Sequence, residues 1–175
     1  MTKIDAQHAL PTGAWQLDPG QTAVTVTAKK MGMITVPATF DVVSSTIEID
    51  ADHQVTGVEV VVDAGSYKSS NAKRDQHIRS ADFLDAENHS DLVFKADGVA
   101  STSNGYRADG SLTIKGRTFP VSIDIRELDF DSGRGSFRAS AAVDRKAIGV
   151  GKLPSFVIGR SLELSVTATA APASA

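Results

Sequence analysis

Cysteine is absent from this 175-residue chain, and aromatic residues make up only 6% of it. Without cysteine the protein has neither disulfides nor thiolates, so thiol catalysis is excluded and redox chemistry does not indicate the compartment. Long apolar runs are lacking as well, because no stretch approaches the roughly eighteen residues that a membrane-spanning helix requires. The sequence therefore predicts no membrane span.

The chain also lacks a concentration of charge of one sign. Its formal net charge is -3 and its pI is about 5.8, with lysines and arginines scattered along the sequence. Proteins that bind nucleic acids gather these residues into a basic patch, so we expect no nucleic-acid partner. The opening "MTKIDAQHALPTGAW" contains no apolar segment of the kind found in signal peptides. We therefore expect a cytoplasmic protein.

The length is that of one domain, and the two ends of the chain differ from the rest. Residues 1–13 and 171–175 are mostly small or polar and follow no period, which predicts a flexible N-terminus and a flexible tail. Residues 14–170 are predicted to form the folded domain.

Apolar and polar residues alternate along most of this domain, as they do in half-buried strands. In "TAVTVTAKK", for example, Val24 and Val26 share one face. Across Ser44 and Ser45 the alternation reverses its phase, which predicts a β-bulge or a turn. About eight such segments, separated by Gly, Asn and Asp, predict an all-β domain, either a sandwich or a closed antiparallel barrel.

Residues 71–85 form the only segment that is predicted to be helical. It includes most of "KRDQHIRSADFLDA", in which charged residues are crowded together. Asn71 is placed to cap the helix, and Asp75 and Arg79 are spaced for an i,i+4 ion pair.

Small residues occupy many of the predicted inward positions, among them Ala96, Ala108 and Ala139. An eight-stranded barrel is either just filled by its own side chains or open to one small ligand, so the volume of these residues is decisive. Protein interiors pack densely, and a lining this small predicts a space that an apolar ligand fills. The alternative is a dry core in which phenylalanines such as Phe40 and Phe94 fill that space.

Five motifs resemble, in sequence and order, the YceI-like family of lipocalin-like polyisoprenoid-binding proteins: "WQLDPGQTAVTV", "MITVPATF", "RDQHIRSADFLDAENHSDLVF", "ADGSLTIKGRTFPVSIDI" and "FRASAAVDRKAIGV". The most specific are "RDQHIRSADF", which is similar to the family's Arg-Asp-x-His-Leu-Arg-Ser-x-Asp-Phe block, and "GSLTIKGRTFPV". Four positions depart from the usual family residues: Lys30 replaces a histidine, Ala38 a glycine, Leu84 a phenylalanine and Ser90 a proline.

The resemblance implies an extended, eight-stranded antiparallel lipocalin-like barrel with a short helix near its mouth and a long apolar pocket. It implies no catalytic residue, and we expect neither a metal nor a covalent cofactor. We therefore expect non-enzymatic binding, storage or transport of an isoprenoid (a quinone or a polyprenyl chain) or a similar lipid. The predicted ligand-binding residues are Val24, Val26, Phe40, Val60, Val62, Phe83, Phe94, Leu112, Ile114, Val121, Ile123, Phe137, Ala139, Ala141, Ile148, Phe156, Leu164 and Val166.

The charged segment allows three interpretations. Arg74, His77 and Arg79 are candidates to bind the head group of the ligand. Alternatively, Arg74, Asp75 and Arg79 form an ion-pair network that fixes the helix over one end of the barrel, and Phe83 and Leu84 plug or gate that end. A third interpretation is an acid–base or metal site formed by Asp75, His77, Asp82 and Asp85. No recognisable nucleophile motif and no second histidine at i+4 support it.

The segment 147–158 is strongly apolar without a regular period, which predicts a loop at the mouth of the barrel. If the core is dry instead, the protein is a structural or interaction barrel that forms a homodimer through this segment.

Overall fold

A computed structural model describes residues 11–30, 34–131, 133–144 and 161–173 of the protein. Most of them lie in strands, as the alternating pattern predicts. The described residues contain one α-helix, α1 (Ala72–Arg79), and ten strands: β1 (Gly13–Leu17), β2 (Ala23–Lys30), β3 (Ile34–Ile49), β4 (Val55–Lys68), β5 (Asp91–Ala96), β6 (Ala100–Thr102), β7 (Gly105–Ile114), β8 (Arg117–Asp131), β9 (Arg134–Asp144) and β10 (Ser161–Pro172).

Eight strands close into a ring in the order β2, β3, β4, β5, β7, β8, β9 and β10. The ring closes because β10 pairs with β9 along one side and with β2 along the other. The strand pairs of the ring are antiparallel. The predicted eight-stranded antiparallel barrel with a short helix is therefore confirmed, and the sandwich is excluded.

β1 continues the position of β2 in the wall, since it pairs with the same two neighbours, β10 and β3. A 3-10 turn over Pro19–Gln21 separates the two strands, and the Asp18 carboxylate accepts a hydrogen bond from the backbone N–H of Gly20 (2.9 Å). β10 runs two residues past the domain boundary predicted at residue 170, because Pro172 still pairs with Trp15. β1 therefore lies at one end of the barrel, which is called the β1 end below. α1 lies at the opposite end, which is called the α1 end.

The predicted phase reversal in β3 is a β-bulge at Val43. Val42 pairs with Val62, but Ser44 already pairs with Val61, so Val43 is the extra residue. Its side chain is 56% exposed, whereas that of Val42 is buried. Inward positions therefore have even numbers before the bulge and odd numbers after it.

α1 begins as predicted, because the Asn71 side chain caps it by accepting the backbone N–H of Arg74 (3.1 Å). The predicted end at residue 85 is wrong, since the helix ends at Arg79. There the backbone of Ser80 leaves the helical region and its N–H and hydroxyl both donate to the carbonyl of His77. The residues that follow form turns, so the helix does not continue towards residue 85.

Two clusters of buried residues fill the ends of the barrel. One lies beside α1 and includes Phe40, Tyr67 and Phe83, and the other includes Trp15 and Ile49 at the β1 end. None of the described residues form a helix long and apolar enough to cross a bilayer.

Candidate functional site

A cavity of about 670 Å³ lies inside the barrel. This volume falls within the range of about 300–1,000 Å³ that is typical of small-molecule pockets. All eight strands of the ring contribute apolar side chains to its wall, and it includes members of both buried clusters, such as Trp15 and Phe83. The structure thus contains the space for a ligand that the small inward residues predicted.

Fourteen of the predicted ligand-binding residues line this cavity. Strand parity identified most of them, because a side chain on the inner face of a closed barrel points towards its axis. Their contact with a ligand stays a prediction. They are Val24, Val26, Phe40, Val60, Val62, Phe83, Phe94, Leu112, Ile114, Ile123, Phe137, Ala139, Leu164 and Val166.

Four predicted residues are not part of the described lining. Val121 and Ala141 face inward by register, opposite Gly110 and Leu164, but they do not line the cavity. Register gives the direction of a side chain and not how far it reaches, and Ala141 has only a methyl group. Ile148 and Phe156, together with the whole of the predicted mouth segment 147–158, lie outside the described residues.

Several lining residues were missed by the sequence interpretation. Ile47 and Ile49 line the cavity because the bulge at Val43 turns them inward, and the phase reversal could have identified both. At the β1 end the short alternating segment "AWQL" could have identified Trp15 and Leu17. The remaining lining residues, which were not among the predicted ligand-binding residues, are Ala28, Val36, Val55, Val58, Tyr67, Asn71, Lys73, Ile78, Leu84, Leu92, Val99, Tyr106, Ala108, Ile125, Leu128, Phe130, Gly135, Val143, Leu162 and Ala170.

The polar part of the described lining is concentrated at one end. Apart from the aromatic residues, only Asn71, Lys73, Arg74 and His77 contribute polar side chains, and all four belong to α1 or its cap. Two predicted head-group candidates, Arg74 and His77, are therefore at the cavity, whereas Arg79 is not among its lining residues.

Arg79 supports the backbone of β4. Its guanidinium donates two hydrogen bonds to the carbonyl oxygen of Tyr67, one of them from Nε at 3.0 Å. This contact ties the last turn of α1 to the strand that leads into it. Arg79 thus has a positioning contact, which differs from the predicted ion pair with Asp75.

Asp75 is buried, with only 5% of its surface exposed. Its carboxylate accepts hydrogen bonds from the backbone N–H (3.0 Å) and the hydroxyl of Ser69. Burial raises its pKa, but the Ser69 hydrogen bonds and the charges of Arg79 and Arg74 outweigh burial, so the pKa is lower than the ordinary 3.8. Asp75 is therefore a charged structural link between α1 and the residues that precede it.

Tyr67 lies at the α1 end with only 8% of its surface exposed, and its ring packs edge-on against Phe40. Burial raises the pKa of its hydroxyl above 10.0, while the nearby charge of Arg74 acts in the opposite direction. Tyr67 therefore contributes a polar group to the cavity lining.

His77 and Asp82 form an exposed pair with 3.1 Å between Nε2 and Oδ2. The His77 ring also packs edge-on against Phe83, which is buried and lines the cavity. Because an exposed pair is strongly solvated, it contributes little to stability. Its geometry positions Phe83 at the end of the cavity and does not resemble a buried acid–base pair.

Comparison with known proteins identifies the family of this barrel. The sequence matches the YceI-like domain over residues 15–170. The chain belongs to the YceI-like family. Its relatives include UPF0312 proteins of Vibrio parahaemolyticus, 33% identical over 131 residues (70% of this chain, 69% of the relative), and of Vibrio cholerae, 34% identical over 106 residues (57% and 56%). The match to the second spans little more than half of that relative.

Solved structures share the fold of this YceI-like chain. BcnA of Burkholderia cenocepacia superposes with a TM-score of 0.76 at 16% identity, over 87% of this chain and 98% of BcnA. A polyisoprenoid-binding domain from Saccharophagus degradans, implicated in plant cell wall breakdown, gives 0.68 at 9% identity, over 91% and 98%. A Campylobacter jejuni YceI protein gives 0.60 at 16% identity, over 74% and 79%.

Proposed function

We propose that the protein binds a long apolar ligand in the barrel cavity and stores or carries it without changing it chemically. An isoprenoid, such as a quinone or a polyprenyl chain, or a similar lipid fits this description. The observation that carries the proposal is the cavity itself, about 670 Å³ in volume, whose described lining is apolar except near α1. A polar ligand would lose its hydration in such a space without gaining hydrogen bonds.

Two comparisons support this proposal. The chain belongs to the YceI-like family, and one of its structural neighbours is a polyisoprenoid-binding domain. The energetics agree with such a ligand, because each buried methylene contributes about 0.8 kcal/mol. Lost translational freedom and the ordering of a flexible chain offset much of this gain. We therefore expect affinity to depend on chain length more than on the details of the chain.

Native mass spectrometry of freshly purified protein tests the proposal directly. We expect an adduct of several hundred daltons that disappears after extraction with organic solvent, because an apolar chain is held without a covalent bond. Mass spectrometry of the extract then identifies the lipid. Protein that carries no adduct and takes up no added isoprenoid would contradict the proposal.

A matched pair of variants in β9 locates the bound ligand. Ala139 is buried and lines the cavity, whereas Ala142 is exposed on the outer face three residues further on. We expect Ala139→Phe to reduce lipid occupancy about tenfold, and Ala142→Phe to leave it unchanged. If the core were dry and filled, Ala139→Phe would instead destabilise the fold by about 1–3 kcal/mol through overpacking. Equal occupancy in both variants would place the lipid outside the barrel.

A further inference from the structure

The hydrogen-bonded wall of the barrel is interrupted between β8 and β9. The two strands pair from the turn that joins them as far as Asp124 and Ser140, and there their pairing stops. Both strands continue beyond this point, through residues 120–123 of β8 and 141–144 of β9. Among these described residues no pair links the two strands. This unpaired stretch of the wall is called the β8–β9 seam below.

Each strand at the seam is still held from its other side. β8 remains paired with β7, and β9 remains paired with β10, along the whole seam. The seam is therefore a boundary between two intact parts of the sheet and not a frayed strand end. A β-bulge in β8 lies close to it, between Arg126 and Asp129, where Glu127 has a φ of 56°. Bulges bend and twist a strand, and they can end its pairing.

Pro120 keeps the β8 edge of the seam free of a further strand. Both residues of the β7–β8 turn have positive φ, so this two-residue turn makes Ile114 and Arg117 a hydrogen-bonded pair. Hydrogen-bonded and non-hydrogen-bonded pairs alternate from there, so Ser111 and Pro120 form a non-hydrogen-bonded pair. The backbone nitrogen of Pro120 therefore faces the seam, and it has no hydrogen to donate. Proline at such an edge position opposes the addition of a strand.

The inward side chains beside the seam are apolar and partly exposed. Phe119, Val121, Ala141 and Val143 face inward by register, and none of them is buried. Ala139 lies on the same face of β9, where that strand is still paired with β8, and it is only 7% exposed. The loss of pairing thus coincides with a loss of burial on the inner face.

The other possible routes into the cavity are closed by packed atoms. Buried clusters fill both ends of the barrel, with Phe83 at the α1 end and Trp15 at the β1 end. Among the described residues, β6 and the start of β4 are also unpaired with each other. There, however, a Cβ at Gly98 would lie only 2.8 Å from the carbonyl oxygen of Val55, so the backbone itself closes the wall.

We infer that the β8–β9 seam is the entrance through which the ligand passes between solvent and the barrel cavity. This inference rests on the proposed function and adds the route by which the cavity is filled. Ile123 of β8 and Val143 of β9 line the cavity from the two sides of the seam, so the seam leads into that space. An apolar chain that crosses it passes between apolar side chains and breaks no ladder hydrogen bond between β8 and β9.

An entrance affects the rates of binding and not the affinity. A side chain that narrows the seam raises the barrier to association and to dissociation equally, so their ratio, the Kd, stays the same. Ala141 is suited to this test because it borders the seam but does not line the cavity. A larger residue there obstructs the passage and leaves the bound ligand undisturbed.

Retinol, a fluorescent isoprenoid alcohol, is the probe. Its titration into delipidated full-length protein gives the Kd from the quenching of Trp15, the only tryptophan, which lines the cavity. Stopped-flow mixing of the loaded protein with excess methyl-β-cyclodextrin gives the dissociation rate constant, and division by Kd gives the association rate constant. We expect Ala141→Phe to lower both rate constants about fivefold and to change Kd by less than about twofold. Ala141→Val, whose side chain is smaller, should lower both by less.

Ala142→Phe is the matched control. Ala142 is the next residue of β9 and is exposed on the outer face of the barrel. Both rate constants of this variant should therefore stay within about twofold of the wild-type values. Thermal unfolding establishes that each variant is folded, and Ala141→Val maintains the test if Ala141→Phe does not fold.

The outcomes separate the entrance from the proposed function. If the wild type binds retinol but the Ala141 variants exchange it at the wild-type rates, the entrance is overturned while ligand binding stands. The same holds if Ala141→Phe raises Kd through faster dissociation alone, or if Ala142→Phe slows exchange as much as Ala141→Phe. If the delipidated wild type takes up no retinol, the entrance and the proposed function are both overturned.

Discussion

Asp75 stabilises the α1 end through a buried charge. Because the folded protein lowers its pKa, the charged carboxylate favours folding at pH values above its unfolded pKa, and this contribution is lost as the pH falls through the folded pKa. We therefore expect Asp75→Asn to be less stable than the wild type at pH 7. The difference should shrink as the pH falls from about 4, the pKa of an aspartate in the unfolded chain, through the lower pKa of the folded carboxylate. Urea unfolding at pH 7 and pH 3 measures both values.

Asp124→Asn provides the control for this prediction. Asp124 is an exposed carboxylate in β8, and its substitution should change stability by less than about 0.5 kcal/mol at either pH. If Asp75→Asn lowers the free energy of unfolding by the same amount at pH 7 and pH 3, the site requires the shape of the aspartate side chain and not its charge.

The residue scale is where the sequence was least informative. The i,i+4 spacing favoured an Asp75–Arg79 pair, but the hydrogen bonds of Asp75 come from Ser69, which the turn before α1 brings close.

Tyr67 was missed because the strand pairing near it is irregular. In the β3–β4 pairing, Asp41 pairs with Asp63 but Thr39 pairs with Lys68, so residues 64–67 form a large irregularity. The alternation seen earlier in β4 therefore does not continue to Tyr67.

At the scale of the element, the bulge at Val43 determines which residues of β3 face the cavity. Val42 and Ile49 are both buried, although one number is even and the other odd, because the extra residue lies between them. We expect Val42→Ala and Ile49→Ala each to destabilise the protein by about 1.5–3 kcal/mol through lost apolar burial. Val43→Ala should change stability by less than about 0.5 kcal/mol. Urea unfolding of the three variants tests this pattern.

A different pattern of stability changes would contradict the β-bulge at Val43. In a regular strand Val42 and Ile49 would face opposite sides, so only one of the two substitutions would be strongly destabilising.

The phase reversal in the sequence predicted the β-bulge correctly, since Ser44 and Ser45 follow directly after Val43. The end of α1 was not predictable in the same way, because Ser80 ends it through hydrogen bonds to the carbonyl of His77.

At the scale of the whole molecule, alternation predicted strands and their inward faces, but it did not decide between a sandwich and a barrel. Closure depends on the pairing of β10 with both β2 and β9, which are far from each other in the sequence. Small inward residues predicted the cavity only in part. Ala108 and Ala139 line it, whereas the equally small Ala96 and Ala168 are buried elsewhere in the wall. Their difference depends on three-dimensional packing that no single strand encodes.

The cavity links ligand binding to the stability of the whole barrel. A ligand that binds only the folded protein stabilises it by RT ln(1 + [L]/Kd), about 2.7 kcal/mol when the free ligand is at one hundred times Kd. For a protein of this length, that stabilisation raises Tm by roughly 5–10 °C. We therefore expect the Tm of delipidated protein to rise with the concentration of an added isoprenoid, as measured by differential scanning calorimetry. Ala139→Phe should weaken this dependence, because its side chain occupies part of the space of the ligand, while Ala142→Phe should retain it in full. A Tm that is the same with and without lipid in the wild type would show that nothing binds the cavity selectively in the folded state.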